Sequence, residues 1–370
     1  MGNSTYDIEN FRLTDGQLAC LKELFGDRID ELSRIELLTV WLRLGKEGKH
    51  IHAAEMGRAL GLSLSEGAAI CFLAMEKLRY KGDDHSIMIL AWRYEQLAQA
   101  QYDVRKFKEC VVNYECALAL WKKLNPSGDR FGIMLCYANC LLRLGKAKYC
   151  AGDYTRKEYE EAKHICEVIA ESNSSETPRE LLARAYYYMG QQMEYLSSSQ
   201  EIYYMKARDL CLQCIRRDKD LECRRLLVDI YMSLADFHTC EVEEYIAWCE
   251  RARMIGEQIV QRNNDLHDCT VLGSIYETIA SRLLYDIENA EQPRYEMLEQ
   301  YWNKAIELYK KVLIKEEDSD AQRGLMHCFS YLWALHTALG TVEKSEEEYQ
   351  KEYDNLLIEL KASRDAYWEE

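Results

Sequence analysis

The sequence predicts an all-α fold, an α-α superhelical solenoid of helical hairpins preceded by a small helical domain, and three observations carry that reading. A spacing of a large residue, an apolar residue and a minimal residue returns five times: Tyr94, Leu97, Ala98; Leu141, Leu144, Gly145; Tyr186, Met189, Gly190; Tyr231, Leu234, Ala235; Tyr276, Ile279, Ala280. The small residues fall 47, 45, 45 and 45 residues apart, and a period of this size marks a stacked array. The 370 residues include 3 prolines, far below the usual share of about 5%, as a chain of helices requires. Between recurrences, ladders with steps of four and three put side chains on one helix face: Cys110, Tyr114, Ala117; Ala162, Cys166, Ile169; Ala207, Cys211, Cys214; Trp248, Ala252, Ile255; Ala305, Tyr309, Val312.

Composition narrows the function. Apolar residues make up 48% and charged residues 30%, enough for a packed core and too apolar for a disordered chain. The net charge is −16, from 47 Lys and Arg against 63 Asp and Glu. That balance opposes duplex nucleic acid and anionic membranes, both of which select clustered cations. No apolar run approaches the ~18 residues of a membrane-spanning helix, and the N-terminus lacks a basic and apolar leader pattern, so a cytoplasmic protein is expected. Tyr6 stands where a myristoylation motif needs Ser or Thr. The 15 cysteines are odd in number and, in a long chain without an export signal, are expected as reduced thiols.

Taken in order, Thr14-Asp15 offers a cap for a short first helix, residues 30–44 carry Leu32, Ile35, Leu38 and Trp41 at helical spacing, and residues 45–52 form a loop. A short helix over 53–60, the turn Gly61-Leu62-Ser63 and an apolar helix over 65–80 follow, which is a helix-turn-helix outline and resembles a winged-helix domain over about 45 residues. The would-be reading helix opens Ser65-Glu66-Gly67-Ala68 without Arg, Asn or Gln to reach base edges. Residues 1–90 hold 11 basic against 14 acidic residues, so this segment reads as a structural cap. The domain division is 1–83 for this helical, winged-helix-like part, 84–360 for the solenoid of five to six repeats and 361–370 for a C-terminal tail. Residues 286–294, with Pro293, read as an insertion, Trp333 as a bulky substitute for the small residue in the last unit, and 343–353 as an acidic closing helix.

Over residues 85–360 the chain resembles the tetratricopeptide repeat family. Leu144-Gly145 and Gly152-Asp153-Tyr154 look like that family's first helix and turn, and residues 105–120 like its second half. The period of about 45 exceeds the family's usual ~34, and the proline at the repeat end is missing. Both departures resemble the long-helix variants of bacterial regulatory proteins, in which a winged-helix-like segment precedes the repeats. The resemblance implies a protein- or peptide-binding scaffold or sensor in the bacterial cytoplasm. The alternative it leaves open is a transcriptional or phosphorelay regulator whose groove binds a signalling peptide and whose N-terminal domain is the output.

No enzyme chemistry stands out. Gly45-Lys46-Glu47-Gly48-Lys49 lacks the spacing and the Ser/Thr of a phosphate loop. Cys211 and Cys214 fall on a packing ladder, so neither they nor Cys223, His238 and Cys240 are assigned to a metal, and His50-Ile51-His52 has no evident third ligand. No catalytic residue, cofactor or metal is therefore expected, and homo-oligomerisation stays open. The binding surface expected of such an array is the groove lined by positions flanking each packing triplet. The first unit contributes Trp92, Gln99 and Tyr102, the second Asn139, Lys146 and Tyr149, and the third Arg184, Tyr187, Gln191 and Tyr195. Amides there suit a peptide backbone, and tyrosines supply rigid contact area.

Overall fold

The computed structural model describes residues 12–44, 51–124, 130–172, 177–193, 197–215, 221–285, 295–338 and 345–369. The described residues form α-helices and one 3-10 turn, with no strand among them. The chain divides into two compact units, Met1–Gln192 and Met193–Glu370. Within each, helices pack on their neighbours in sequence, the arrangement of an all-α solenoid. No single helix among the described residues is long and apolar enough to cross a membrane.

The first unit opens with α1 (Asp15–Phe25), a 3-10 turn (Gly26–Glu31) and α2 (Arg34–Leu44). Thr14 and Gln17 close a reciprocal capping box at the start of α1. The helix expected over 30–44 thus begins later, because residues 26–31 tighten into the 3-10 turn. The short α3 (Ala53–Leu60) meets α4 (Leu64–Arg79) at 115°, the angle of a helix-turn-helix. Two glycines permit that crossing: a Cβ on Gly67 would stand 2.2 Å from the backbone nitrogen of Gly57. With no strand among the described residues, nothing there forms a wing. Lys77 ties α4 to Glu36 of α2 at 2.7 Å.

The repeats follow as α5 (Asp84–Asp103), α6 (Phe107–Lys123), α7 (Phe131–Cys150), α8 (Lys157–Ser172) and α9 (Thr177–Gln191). Asp83 accepts the Ser86 backbone N–H at 2.7 Å and starts α5. The small positions Ala98, Gly145 and Gly190 are all buried, as close approach of paired helices demands. Ala117 of α6 and Ala162, Cys166 and Ile169 of α8 are fully enclosed.

The second unit comprises α10 (Ser198–Cys214), α11 (Leu221–Phe237), α12 (Val242–Asn263), α13 (Leu266–Tyr285), α14 (Tyr295–Leu313), α15 (Ser319–Ala338) and α16 (Glu346–Glu369). Ala235 and Ala280 are fully buried, as are Ala207, Cys211, Cys214, Ala305 and Val312 of the ladders. The ladder of α12 differs from expectation. Its buried face is Tyr245, Cys249, Ala252, Gly256 and Ile259, while Trp248 and Ile255 are half-buried. Trp248 instead stacks on Tyr231 with ring centroids 5.7 Å apart, so its size took it off the tight face. Arg225 of α11 clamps Asp268 of α13 through two hydrogen bonds of 2.8 and 2.7 Å. Residues 361–369, read from the sequence as a tail, lie in α16, which continues through Glu369 and buries Leu360. The insertion at 286–294 lies outside the described residues.

All 15 cysteines are free thiols, ten of them buried. Cys110, Cys166 and Cys249 occupy small positions in the core, and burial pushes each thiol up to about 12. They act as small apolar residues, in keeping with their place on the ladders.

Candidate functional site

A groove of about 790 Å³ opens in the first unit, with α5 and α7 as its floor and α4 and α6 contributing walls. Helical periodicity explains the lining. On α5, Met88, Trp92, Gln96, Gln99 and Asp103 recur at steps of four and three, and on α7 Cys136, Asn139 and Arg143 do the same. Lys106 donates to both carboxylate oxygens of Glu66 at 2.8 Å, which fixes α4 against the array. Its outward residues Ser65, Ala68 and Phe72 then face the groove. The face that a helix-turn-helix protein would turn to nucleic acid is here a groove wall.

The lip is aromatic and cationic. Trp92 is 51% exposed and Phe72 43%, and the Arg93 guanidinium lies 4.8 Å from each ring centroid. Arg93 also donates to Gln96 Oε1 at 2.8 Å, while its Nε is buried without a partner. Deeper in, Trp121 Nε1 donates to Glu95 at 2.6 Å. Burial raises the Glu95 pKa, opposed by that hydrogen bond and by the positive charge of Arg143. Gln99 Oε1 accepts from Tyr114 Oη and from Arg143, each at 3.3 Å, and its Nε2 donates to Asp103 at 2.8 Å. The Asn139 side chain, half-buried beside them, makes no hydrogen bond within the described residues. The arrangement has no nucleophile paired with a base; it offers apolar area at the lip and amide and guanidinium groups below.

Of the expected site residues, Trp92, Gln99 and Asn139 are brought together in this groove. Tyr102 and Lys146 form a separate pair, with the ammonium 5.2 Å from the Tyr102 ring and 5.9 Å from that of Tyr188. Tyr149 turns instead to Tyr154, edge-on at 5.3 Å. Arg184 is held by Glu180 at 2.7 Å along α9. Tyr187 was expected to face a partner, but it is 8% exposed and its hydroxyl accepts from Gln191 at 2.9 Å. Tyr195 lies outside the described residues. Glu95 and Arg143, three and two residues before the small positions Ala98 and Gly145, were missed, and so were Phe72 and Trp121. The periodicity of α5 and α7 was a usable signal for the first two; nothing in the repeat pattern points to a wall supplied by α4.

In the second unit, His238 lies between carboxylates, with Nδ1 3.0 Å from Glu244 and Nε2 3.5 Å from Glu201. Ligand atoms of His238, Glu241 and Glu244 come within 4.8 Å of one another. Cys211, Cys214 and Cys223 are core residues rather than neighbours of a surface site.

These elements define the class of protein: an all-α solenoid of helical hairpins with a lined groove in its first unit. No family model matches the chain, and no curated protein matches it. Among solved structures, BtubC (BKLC) from P. vanneervenii is similar at 13% identity over 76% of this chain and 93% of its own, with a TM-score of 0.38. The S. pombe nuclear import adaptor Nro1 is similar at 11% identity over 81% of this chain and 98% of its own, TM-score 0.39. A second structure of Nro1, described as a hypoxic regulator of sterol synthesis, gives 12% identity over 81% and 92%, TM-score 0.38.

Proposed function

We propose that this chain is a protein- or peptide-binding scaffold of tetratricopeptide-like hairpins, and that the groove of the first unit receives an extended segment of its partner. The observation that carries the reading is the pairing of an exposed Trp92 at the lip with an unbonded Asn139 amide below it. Exposed tryptophan supplies anchoring area, and an amide with both a donor and an acceptor free matches a peptide group. The repeat architecture adds to it, since such arrays present continuous concave surfaces. Binding rather than catalysis is the role proposed.

The test is selection of a displayed random-peptide library on the full chain, followed by affinity measurements on a Trp92→Ala/Asn139→Ala variant. Selected peptides are expected to lose roughly tenfold or more in affinity on the variant, with melting nearly unchanged because both side chains face the groove. Peptides that bind wild type and variant equally place the interaction elsewhere and overturn the groove assignment.

A further inference from the structure

In the second unit, Trp333 of α15 stands where the five earlier recurrences carry Ala or Gly. Alanine and glycine let the paired helix come close; an indole holds it away. Within this unit α16 packs on α15 less extensively than α12 packs on α11 or α14 on α13. The space left between them is a pocket of about 260 Å³ lined chiefly by Phe329, Tyr331, Trp333, Tyr349, Tyr353 and Glu346. Phe329 and Tyr353 meet edge-on at 6.0 Å, which holds two of the five rings in place.

The charge around this pocket is one-sided. No Lys or Arg lines it. Elsewhere in the unit, rings already have cations over them: Arg251 at 4.2 Å from Trp248, Arg282 at 5.4 Å from Tyr245 and Lys304 at 5.2 Å from Tyr276. No Lys or Arg among the described residues lies over Phe329, Tyr331, Trp333 or Tyr353, and the exposed Glu346 carboxylate makes no ion pair among them. The surroundings reinforce this. Residues 1–192 hold 26 Lys and Arg against 27 Asp and Glu, while residues 193–370 hold 21 against 36, so nearly all the net charge of −16 belongs to the second unit.

We infer that the pocket between α15 and α16 binds an organic cation, a quaternary ammonium group held against the faces of Trp333 and its neighbouring rings with Glu346 as counter-charge. Ring quadrupoles attract cations, tryptophan most strongly, and a methylated ammonium leaves water cheaply because it has no N–H to satisfy. A hard divalent ion is a poor fit, since it wants several oxygens and the lining offers one carboxylate. An anion meets the wrong field. The group is carried either by a free small quaternary ammonium compound or by a trimethylated lysine of a protein, and both present the same chemistry.

The experiment is calorimetric titration of the full chain with choline, with its uncharged carbon isostere dimethylbutanol, and with a short peptide carrying trimethyllysine. Choline or the peptide is expected to bind saturably, and the isostere roughly tenfold more weakly than choline. Whichever cation binds more tightly identifies the source. Trp333→Leu is expected to lose about tenfold, Trp333→Phe to keep most of the affinity because it keeps a ring face, and Glu346→Gln to lose about threefold. Circular dichroism checks the fold of each variant, and Glu346→Gln, at an exposed position, keeps the test open if the indole variants unfold. An isostere that binds as tightly as choline, a folded Trp333→Leu that binds choline as wild type does, or no saturable binding of either cation at millimolar concentration overturns the assignment.

Discussion

Trp121 and Glu95 are joined by a 2.6 Å hydrogen bond from the indole Nε1 to a carboxylate oxygen, where the α6 wall of the first-unit groove meets its α5 floor and both are buried. A carboxylate in such a place is held by two opposing effects: loss of hydration disfavours its charge, while the indole N–H and the Arg143 guanidinium favour it. Loss of hydration wins, and the Glu95 pKa is raised above its ordinary value.

That direction fixes a pH dependence. A carboxyl whose folded pKa lies above its unfolded pKa holds its proton more tightly in the folded chain, so its stabilising contribution is full below the unfolded value and lost as pH rises through the folded one. Glu95→Gln keeps an acceptor for Trp121 and removes the charge. Its melting temperature is expected to exceed that of wild type near neutral pH, with the difference shrinking in mild acid. Melting curves of both proteins across that range decide it; an advantage that grows toward acid would contradict the burial argument.

The close helix approach at Gly145 makes a second prediction. A Cβ at Gly145 would stand 2.6 Å from Cε1 of Tyr159, a ring that is 1% exposed and stacked on Tyr188 at 5.5 Å. The ring has nowhere to retreat. Gly145→Ala is expected to cost about 1–3 kcal/mol by overpacking. At Gly132, in the first turn of the same helix, a Cβ meets nothing within 4 Å, so Gly132→Ala should be neutral or stabilising by about 0.5 kcal/mol. Urea denaturation of the pair separates packing from helix propensity, since equal effects would refute the contact.

Why the sequence disclosed one half of this molecule and not the other follows from what each residue must do. Ala98, Gly145, Gly190, Ala235 and Ala280 are buried where the period put them, because paired helices exclude any larger side chain there. The exposed faces obey no such rule. Tyr187 stands between two tyrosines that are engaged with α8, Tyr186 through Glu167 and Tyr188 through Tyr159. With those contacts setting the rotation of α9, Tyr187 is buried rather than presented. The fold class and the positions of Trp92, Gln99 and Asn139 follow from periodicity within a hairpin. The α4 wall depends on the long-range Glu66–Lys106 contact, and no local pattern encodes it.

Thiol labelling links the groove to a direct readout. Cys136, Cys150 and Cys240 are the exposed cysteines, and Cys136 lines the groove. Although Cys136 is exposed as a residue, its thiol lies against the groove wall and burial pushes its pKa up. The thiolate is the reacting species, so maleimide should modify Cys136 more slowly than its exposure alone would allow, and the ten buried thiols only after denaturation. A selected peptide that fills the groove is expected to slow labelling of Cys136 several-fold while leaving Cys240, in the other unit, unchanged. Mass spectrometry of tryptic fragments at short labelling times reads both sites in one sample. A peptide that binds with full affinity yet protects Cys240 and leaves Cys136 open would place the binding surface outside the groove between α5 and α7.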